Sequence, residues 1–316
     1  LAAPARPLRR HSSKGREELP GIYVAGNVNV DLILGPLADW PRIGTETILP
    51  HSELRVGGQA GNTGLALAAL GARHRVAASI GSDALGAWLA AAFPDSSATW
   101  PRMAATTSIT VGMLHPSGER TFFTTLGHLA LLSPQQILGQ LPPVASPADV
   151  VLLCGVFLSP LLVEGGLALV HALRERGYPV ALDTGWPTQG WEAVRGRVES
   201  WLPLLDHVLL NEIETCALAG TNELDRAAHW LLARLPPGAT LVVKRGADGA
   251  CAWRGEEQIG QPAPAVEVID TVGAGDVFNA AYLFALQSGE SLAEALARGV
   301  RTAARAISTA PRQYVA

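Results

Sequence analysis

A rhythm constrains this chain most: short apolar runs take turns with Ala- and Leu-rich stretches of helical length. Val150–Cys154 has no polar alternation, as expected for a strand in a parallel sheet covered on both faces. Further strands are read at Ile22–Ala25 with Asp31–Leu34, at Arg75–Ser79, Val180–Asp183, Val208–Leu210 and Thr240–Lys244. Helices are read at Gly61–Leu70, stopped by Gly71, and at Ala84–Phe93, Leu161–Arg176, Leu224–Leu235, Asp276–Gln287 and Leu292–Ser308. Strand and helix in this order predict an α/β fold, a doubly wound and mainly parallel sheet flanked by helices. Segments 32–56 and 106–127 break the rhythm with alternating, β-leaning residues, and are expected to form a small antiparallel sheet inserted into the α/β body.

Composition narrows the function classes. With 48% hydrophobic and 16% charged residues among 316, the chain can bury an ample core. A net charge of −4 argues against a broad cationic nucleic-acid face. Its apolar stretches fall short of the roughly 20 residues that span a bilayer, so neither a membrane nor a nucleic-acid partner is expected. Cys154, Cys216 and Cys251 are too scattered for a disulfide framework or a zinc pair, which suits a cytoplasmic protein. Residues 1–20, with Arg6, Arg9, Arg10, Lys14 and Arg16, read as a mobile basic lead-in. The body, 21–316, then holds a single lysine, Lys244.

Three motifs bear on chemistry. Asp270-Thr-Val-Gly-Ala-Gly-Asp276 precedes an apolar helix. Gly273, Ala274 and Gly275 would present backbone N–H groups at the helix N-terminus, a site for an anion such as phosphate. A carboxylate beside a bound phosphate repels it, so Asp276 suits a general base that accepts a proton from an attacking hydroxyl. The plainer alternative is a glycine turn capped by Asp276. Gly57-Gly-Gln-Ala-Gly-Asn62 opens a helix, and its glycines allow close approach to a ligand or a hinge. Gly26-Asn-Val-Asn-Val-Asp31 follows the first strand, where open α/β sheets bind ligands. Amides and a carboxylate there suit a polyhydroxylated molecule.

Taken with Ile80-Gly-Ser-Asp83, Asn211-Glu-Ile-Glu214 and Lys244-Arg-Gly-Ala-Asp-Gly249, these blocks follow one another as in the ribokinase-like (PfkB) carbohydrate kinases, which the chain resembles from about Gly21 to its C-terminus. The resemblance implies ATP-dependent, magnesium-requiring phosphorylation of a sugar hydroxyl. It assigns Asp276 as the base, Gly273–Gly275 as the anion hole, and Asn29, Asp31, Gly58 and Asn62 to the sugar and its hinge. It gives Asn211 and Glu214 to magnesium, with Glu214 acting through water. Lys244, Gly246 and Gly249 go to the nucleotide loop, and Asn279 to the adenine side. It also implies that the inserted sheet is a lid closing over the sugar, a monovalent cation such as K+ near Asp270 and residues Ser308–Gln313, and a homodimer formed through the lid. Two departures stand out: Gln59-Ala60 where ribokinases proper carry lysine, and Val272 in place of a hydroxyl residue. A nucleoside kinase of the same fold and a catalytically silent regulatory member stay open. Arg120, His128 and Asp183 are further residues of interest. The two tryptophans Trp186 and Trp191 are read as packing.

Overall fold

The computed structural model describes residues 21–116, 120–146 and 149–314. The expected lead-in, 1–20, lies outside the described residues. Among these, the strands are β1 (Ile22–Gly26), β2 (Asn29–Gly35), β3 (His51–Gly57), β4 (His74–Ala77), β5 (Ile80–Gly81), β6 (Arg102–Met103), β7 (Ile109–Leu114), β8 (Arg120–Thr124), β9 (Val150–Cys154), β10 (Val180–Asp183), β11 (His207–Asn211), β12 (Thr240–Lys244), β13 (Ala250–Arg254) and β14 (Glu257–Gln261). Eight of them form the main sheet in the order β14-β13-β12-β11-β10-β9-β1-β4. From β4 to β12 every pairing is parallel, and β13 and β14 close one edge as antiparallel strands.

The alternation of side chains along a strand divides the core into two layers. Val24, Val76, Leu152, Leu209 and Val242 face the helices Gln59–Ala69, Ala274–Gln287 and Leu292–Ile307. Their chain neighbours Ala25, Ala77, Leu153, Leu210 and Val243 face Gly166–Glu175, Trp191–Trp201 and Leu224–Leu232. Each buried valine or leucine contributes about 1.5–3 kcal/mol, which is why strands apolar on both faces occupy the centre.

Connections from β1 run one way to β4, while the chain returns on the other side through β9. That reversal leaves a crevice beyond the carboxyl ends of β1 and β9. A second sheet, β3-β2-β7-β8, stands over this end. It occupies the expected lid segments with one correction: β2 and β7 run parallel, so the lid is mixed rather than antiparallel. The helix expected at Leu161–Arg176 is two helices, Pro160–Glu164 and Gly166–Glu175, which part at Gly165, whose ψ of 9° leaves the helical range. No helix among the described residues is long and apolar enough to cross a membrane.

Candidate active site

Helix Ala274–Gln287 brings its N-terminus to the crevice. It starts from Gly273 at φ 74°, a left-handed conformation that favours glycine, and no side chain caps it. A Cβ on Gly273 would lie 2.9 Å from Asn62 Nδ2. The helix end therefore presents its dipole to the cavity without a competing side-chain oxygen. Within the expected anion hole, however, the Ala274 N–H donates to Thr271 O at 3.1 Å, which commits that group to the turn.

Asp276 sits in the first turn of this helix and is buried. Asn62 Nδ2 donates to its Oδ2 at 2.9 Å, and Thr63 Oγ1 donates to its backbone carbonyl at 3.4 Å. Burial, reinforced by the charge of Asp183, raises the Asp276 carboxyl to about 7. An acid in that range takes and returns a proton near neutrality.

A buried charged cluster lies beside it. Lys244, at the end of β12, donates from Nζ to Asp183 Oδ2 at 2.6 Å and to Asn279 Oδ1 at 3.3 Å. Asn279 Nδ2 also donates to Asp183 Oδ2. Burial opposes the Lys244 ammonium, yet Asp183 and Glu214 outweigh it and raise its pKa. Asn279 has no exposed surface, so in this structure it supports these two charges and faces no open nucleotide side. Asn211 and Glu214 form a capping box at the start of helix Glu212–Ala219: Glu214 N–H donates to Asn211 Oδ1 at 2.8 Å and Asn211 N–H to Glu214 Oε2 at 3.0 Å. Burial first, and Asp183 second, raise the Glu214 carboxyl to about 7. Gly246 and Gly249 flank the short turn that joins β12 to β13.

The opposite wall comes from β1, β2 and the turn before helix Gln59–Ala69. Asn27 Nδ2 donates to Asn29 Oδ1 at 3.2 Å, and Asn29 Nδ2 donates to Asp31 Oδ1 at 2.8 Å. Burial raises Asp31 to about 6. Gly57 and Gly58 make this possible. A Cβ on Gly57 would stand 2.1 to 2.4 Å from the Asp31 carboxylate, and one on Gly58 would stand 2.6 Å from Asn29 Oδ1. The paired glycines thus bring main chain against polar side chains, whatever further part they play as a hinge.

These walls enclose a cavity of about 300 Å³ lined by Asn27, Asn29, Asp31, Gly58, Asn62, Gly273 and Asp276, among others. Sequence reasoning missed several of its residues. Gln59, Thr110, Phe122 and Trp186 also line it. Trp186 packs edge to face on the buried Trp191, as expected, and its other side, 56% exposed, forms part of the cavity wall. Asp183 was singled out only by its place at a strand end, and proves to be the partner of Lys244. His128 is fully buried at the base of the lid, where its Nδ1 accepts from Ser108 N–H at 2.9 Å. Burial lowers its pKa to about 4, so it is a neutral support of the lid.

An uncapped helix end, a buried acid and an amide-lined cavity meet at the topological switch of the sheet. The model of the pfkB family carbohydrate kinases matches residues 21–313, and the chain belongs to that family. It is 28% identical over 267 residues to the aminoimidazole riboside kinase of Salmonella typhimurium, covering 80% of this chain and 82% of that protein. It is 34% identical over 152 residues to the 2-dehydro-3-deoxygalactonokinase of Haloferax volcanii, a match spanning 46% of this chain and 47% of the relative. Among solved structures, the fold is similar to adenosine kinase from Sinorhizobium meliloti, with TM-score 0.78 and 24% identity over 94% of this chain and 97% of that one. It is also similar to the ribokinase of Thermotoga maritima, with TM-score 0.74 and 22% identity over 91% and 93%. The fold is ribokinase-like.

Proposed function

We propose that this chain transfers the γ-phosphoryl group of ATP to a hydroxyl of a sugar, with Asp276 as the general base. The observation that carries the reading is the buried Asp276 carboxyl, raised to about 7, at the head of an uncapped helix on the floor of the cavity. The acceptor hydroxyl gives its proton to the Asp276 carboxylate. Its oxygen attacks the γ-phosphorus in line, and ADP departs. Asn62, donating to Oδ2, holds the carboxylate in place through this step. The helix dipole and the backbone of Gly273 and Gly275 stabilise charge on the transferring group. Asn29, Asp31 and Asn62 orient the acceptor through its other hydroxyls, and Lys244 stands at the nucleotide side.

Magnesium fits this donor set. No cluster of three metal-ligating side chains exists among the described residues. Mg2+ commonly keeps its waters and binds through one or two carboxylates plus phosphates. Glu214, raised by burial first and by the charge of Asp183 second, with Asn211 holding it, would meet the ion through water. When bound, the ion neutralises charge on the phosphates.

A nucleoside acceptor is the second reading. Phe122, Phe157 and Trp186 on the cavity support it, because an apolar wall suits a base as well as a sugar ring. The half-exposed lid residues Trp40 and Phe123, which meet edge to face, support association of two copies through the lid. ADP release with ATP and magnesium, measured against pentoses, hexoses, acidic keto-sugars and nucleosides, tests the function. Turnover on one class that falls at least about 10²-fold in Asp276→Asn, with ATP binding retained, is expected. Unchanged turnover in that variant would refute Asp276 as the base.

A further inference from the structure

Asp270 opens the anion loop, and the family resemblance points to a monovalent cation beside it. The side chains around it do not fit one. Arg55 Nη1 lies 2.6 Å from Asp270 Oδ2, Arg120 Nη2 2.7 Å from Oδ1 and Arg312 Nη2 3.1 Å from Oδ2. The Val272 N–H donates to Oδ1 at 2.9 Å, and Arg120 Nη1 donates to Thr271 Oγ1 at 3.1 Å. Both carboxylate oxygens therefore already face positive charge. Two other acidic groups meet this cluster among the described residues: Glu53, 3.8 Å from Arg55 and half exposed, and Asp31, which lies across the β2–β3 ladder from Arg55 and feels the charges of Arg55 and Asp270. Arg55 Nη2 and Arg120 Nε are buried without a hydrogen-bond partner. Three guanidinium groups and the Val272 N–H thus occupy both oxygens of Asp270, and a further cation finds no free carboxylate oxygen there and three like charges close by.

The three arginines come from separate parts of the chain. Arg55 is on β3 and Arg120 on β8 of the lid, while Arg312 belongs to the C-terminal segment. Together they fix Asp270, and Asp270 in turn fixes Val272 N–H, one residue before Gly273. We propose that Arg312, with Arg55 and Arg120, supplies at Asp270 the positive charge that a monovalent cation would otherwise supply, so that this chain holds its anion loop without one. Arg312 is then a positioning residue, and the inference rests on the kinase reading only for its activity measurement.

The test compares the protein in potassium, sodium and tetramethylammonium chloride at equal ionic strength. ADP-release rates should agree within about twofold across the three salts. Arg312→Ala in tetramethylammonium should be about tenfold slower, as for the loss of one charge-assisted hydrogen bond. Potassium or guanidinium should restore it, which a merely structural role would not allow. Melting temperatures of the substrate-free protein give a second readout: the parent should not respond to potassium over tetramethylammonium, and Arg312→Ala should rise by about 2 °C or more. Should Arg312→Ala fail to fold, Arg312→Gln takes its place. Potassium activation or stabilisation of the parent overturns the proposal. So does an Arg312 variant that keeps full rate, or one that is slow and indifferent to both cations. If no acceptor turns over in any salt, the kinase reading fails, and the melting comparison alone decides the arginine cluster.

Discussion

Replacing Asp276 with asparagine should stabilise the fold while it stops the chemistry, and the gain should depend on pH. The Asp276 carboxyl moves from an ordinary 3.8 to about 7 on folding, through burial first and the charge of Asp183 second. A carboxyl raised in the folded state leaves stability untouched below pH 4, where both states hold the proton. Stability is lost as pH climbs through the interval to 7, because the unfolded chain releases the proton and the folded chain keeps it. The full interval amounts to about 4 kcal/mol, an upper figure for a buried group among other charges. Asparagine has almost the same shape, accepts from Asn62 Nδ2 as the carboxylate does, and carries no charge to bury. Its advantage should therefore be small near pH 5, grow by about 3 kcal/mol between pH 5 and 7 at most, and level off above. A gain of only 1 kcal/mol moves the melting temperature by about 2–4 °C. Thermal unfolding of the two proteins from pH 5 to 8, in one salt concentration, measures this directly. An Asp276→Asn protein that melts at or below the parent at pH 8, or a gap that does not widen with pH, would show that the carboxylate is not held at a cost.

Two further substitutions probe the walls of the site. Glu214→Gln keeps an oxygen for the Asn211 N–H and so should fold within about 1 kcal/mol of the parent; the magnesium concentration for half-maximal rate should rise about 10-fold or more, and an unchanged titration would remove Glu214 from the metal's surroundings. Gly57→Ala places a methyl 2.1–2.4 Å from the Asp31 carboxylate. Moving that group should cost about 1–3 kcal/mol of stability and raise KM for the acceptor while KM for ATP holds, whereas equal changes in both would deny Asp31 an acceptor role.

The strands at the centre of the sheet were legible because burial on both faces leaves an unbroken apolar run, as in Val150–Cys154. The edge strand β14 escaped notice: Glu257, Gln258 and Gln261 are tolerated where a strand meets solvent, so the apolar signal fades. Helix Trp191–Trp201 was missed for another reason. Its apolar stripe, Trp191, Val194, Val198 and Trp201, has helical spacing, but the intervening Arg195, Arg197 and Glu199 make the segment polar on average. At the site, local sequence announced the helix N-terminus and Asp276, since both belong to one turn. It could not announce the partners of Asp270, because Arg55 lies 215 residues away along the chain and Arg120 150. Nor did it show that Asn211 and Glu214 cap a helix as well as flank the acid cluster; the Asn-x-x-Glu spacing serves both purposes equally.

The two aspartates that bound the anion motif, six positions apart, are driven in opposite directions by what folds against them. At Asp270, burial would raise the carboxyl, but the Val272 N–H and the Arg55 and Arg120 guanidinium groups hold it below the ordinary range. It stays charged and serves as an anchor between lid, loop and C-terminal segment. At Asp276 burial prevails, the nearest full charge in its favour being Lys244, which Asp183 already claims at 2.6 Å. On that side three carboxylates, Asp183, Glu214 and Asp276, share one ammonium; on the other, three guanidinium groups converge on the Asp270 carboxylate. Environments that separate the pKa values of like groups in this way assign their roles: a permanently ionised residue can hold geometry, and a residue near 7 can exchange a proton. The loop thus lies between a carboxylate held ionised and a carboxylate pushed towards neutrality. Exchanging the two environments, and not the two residues, would be needed to exchange their roles.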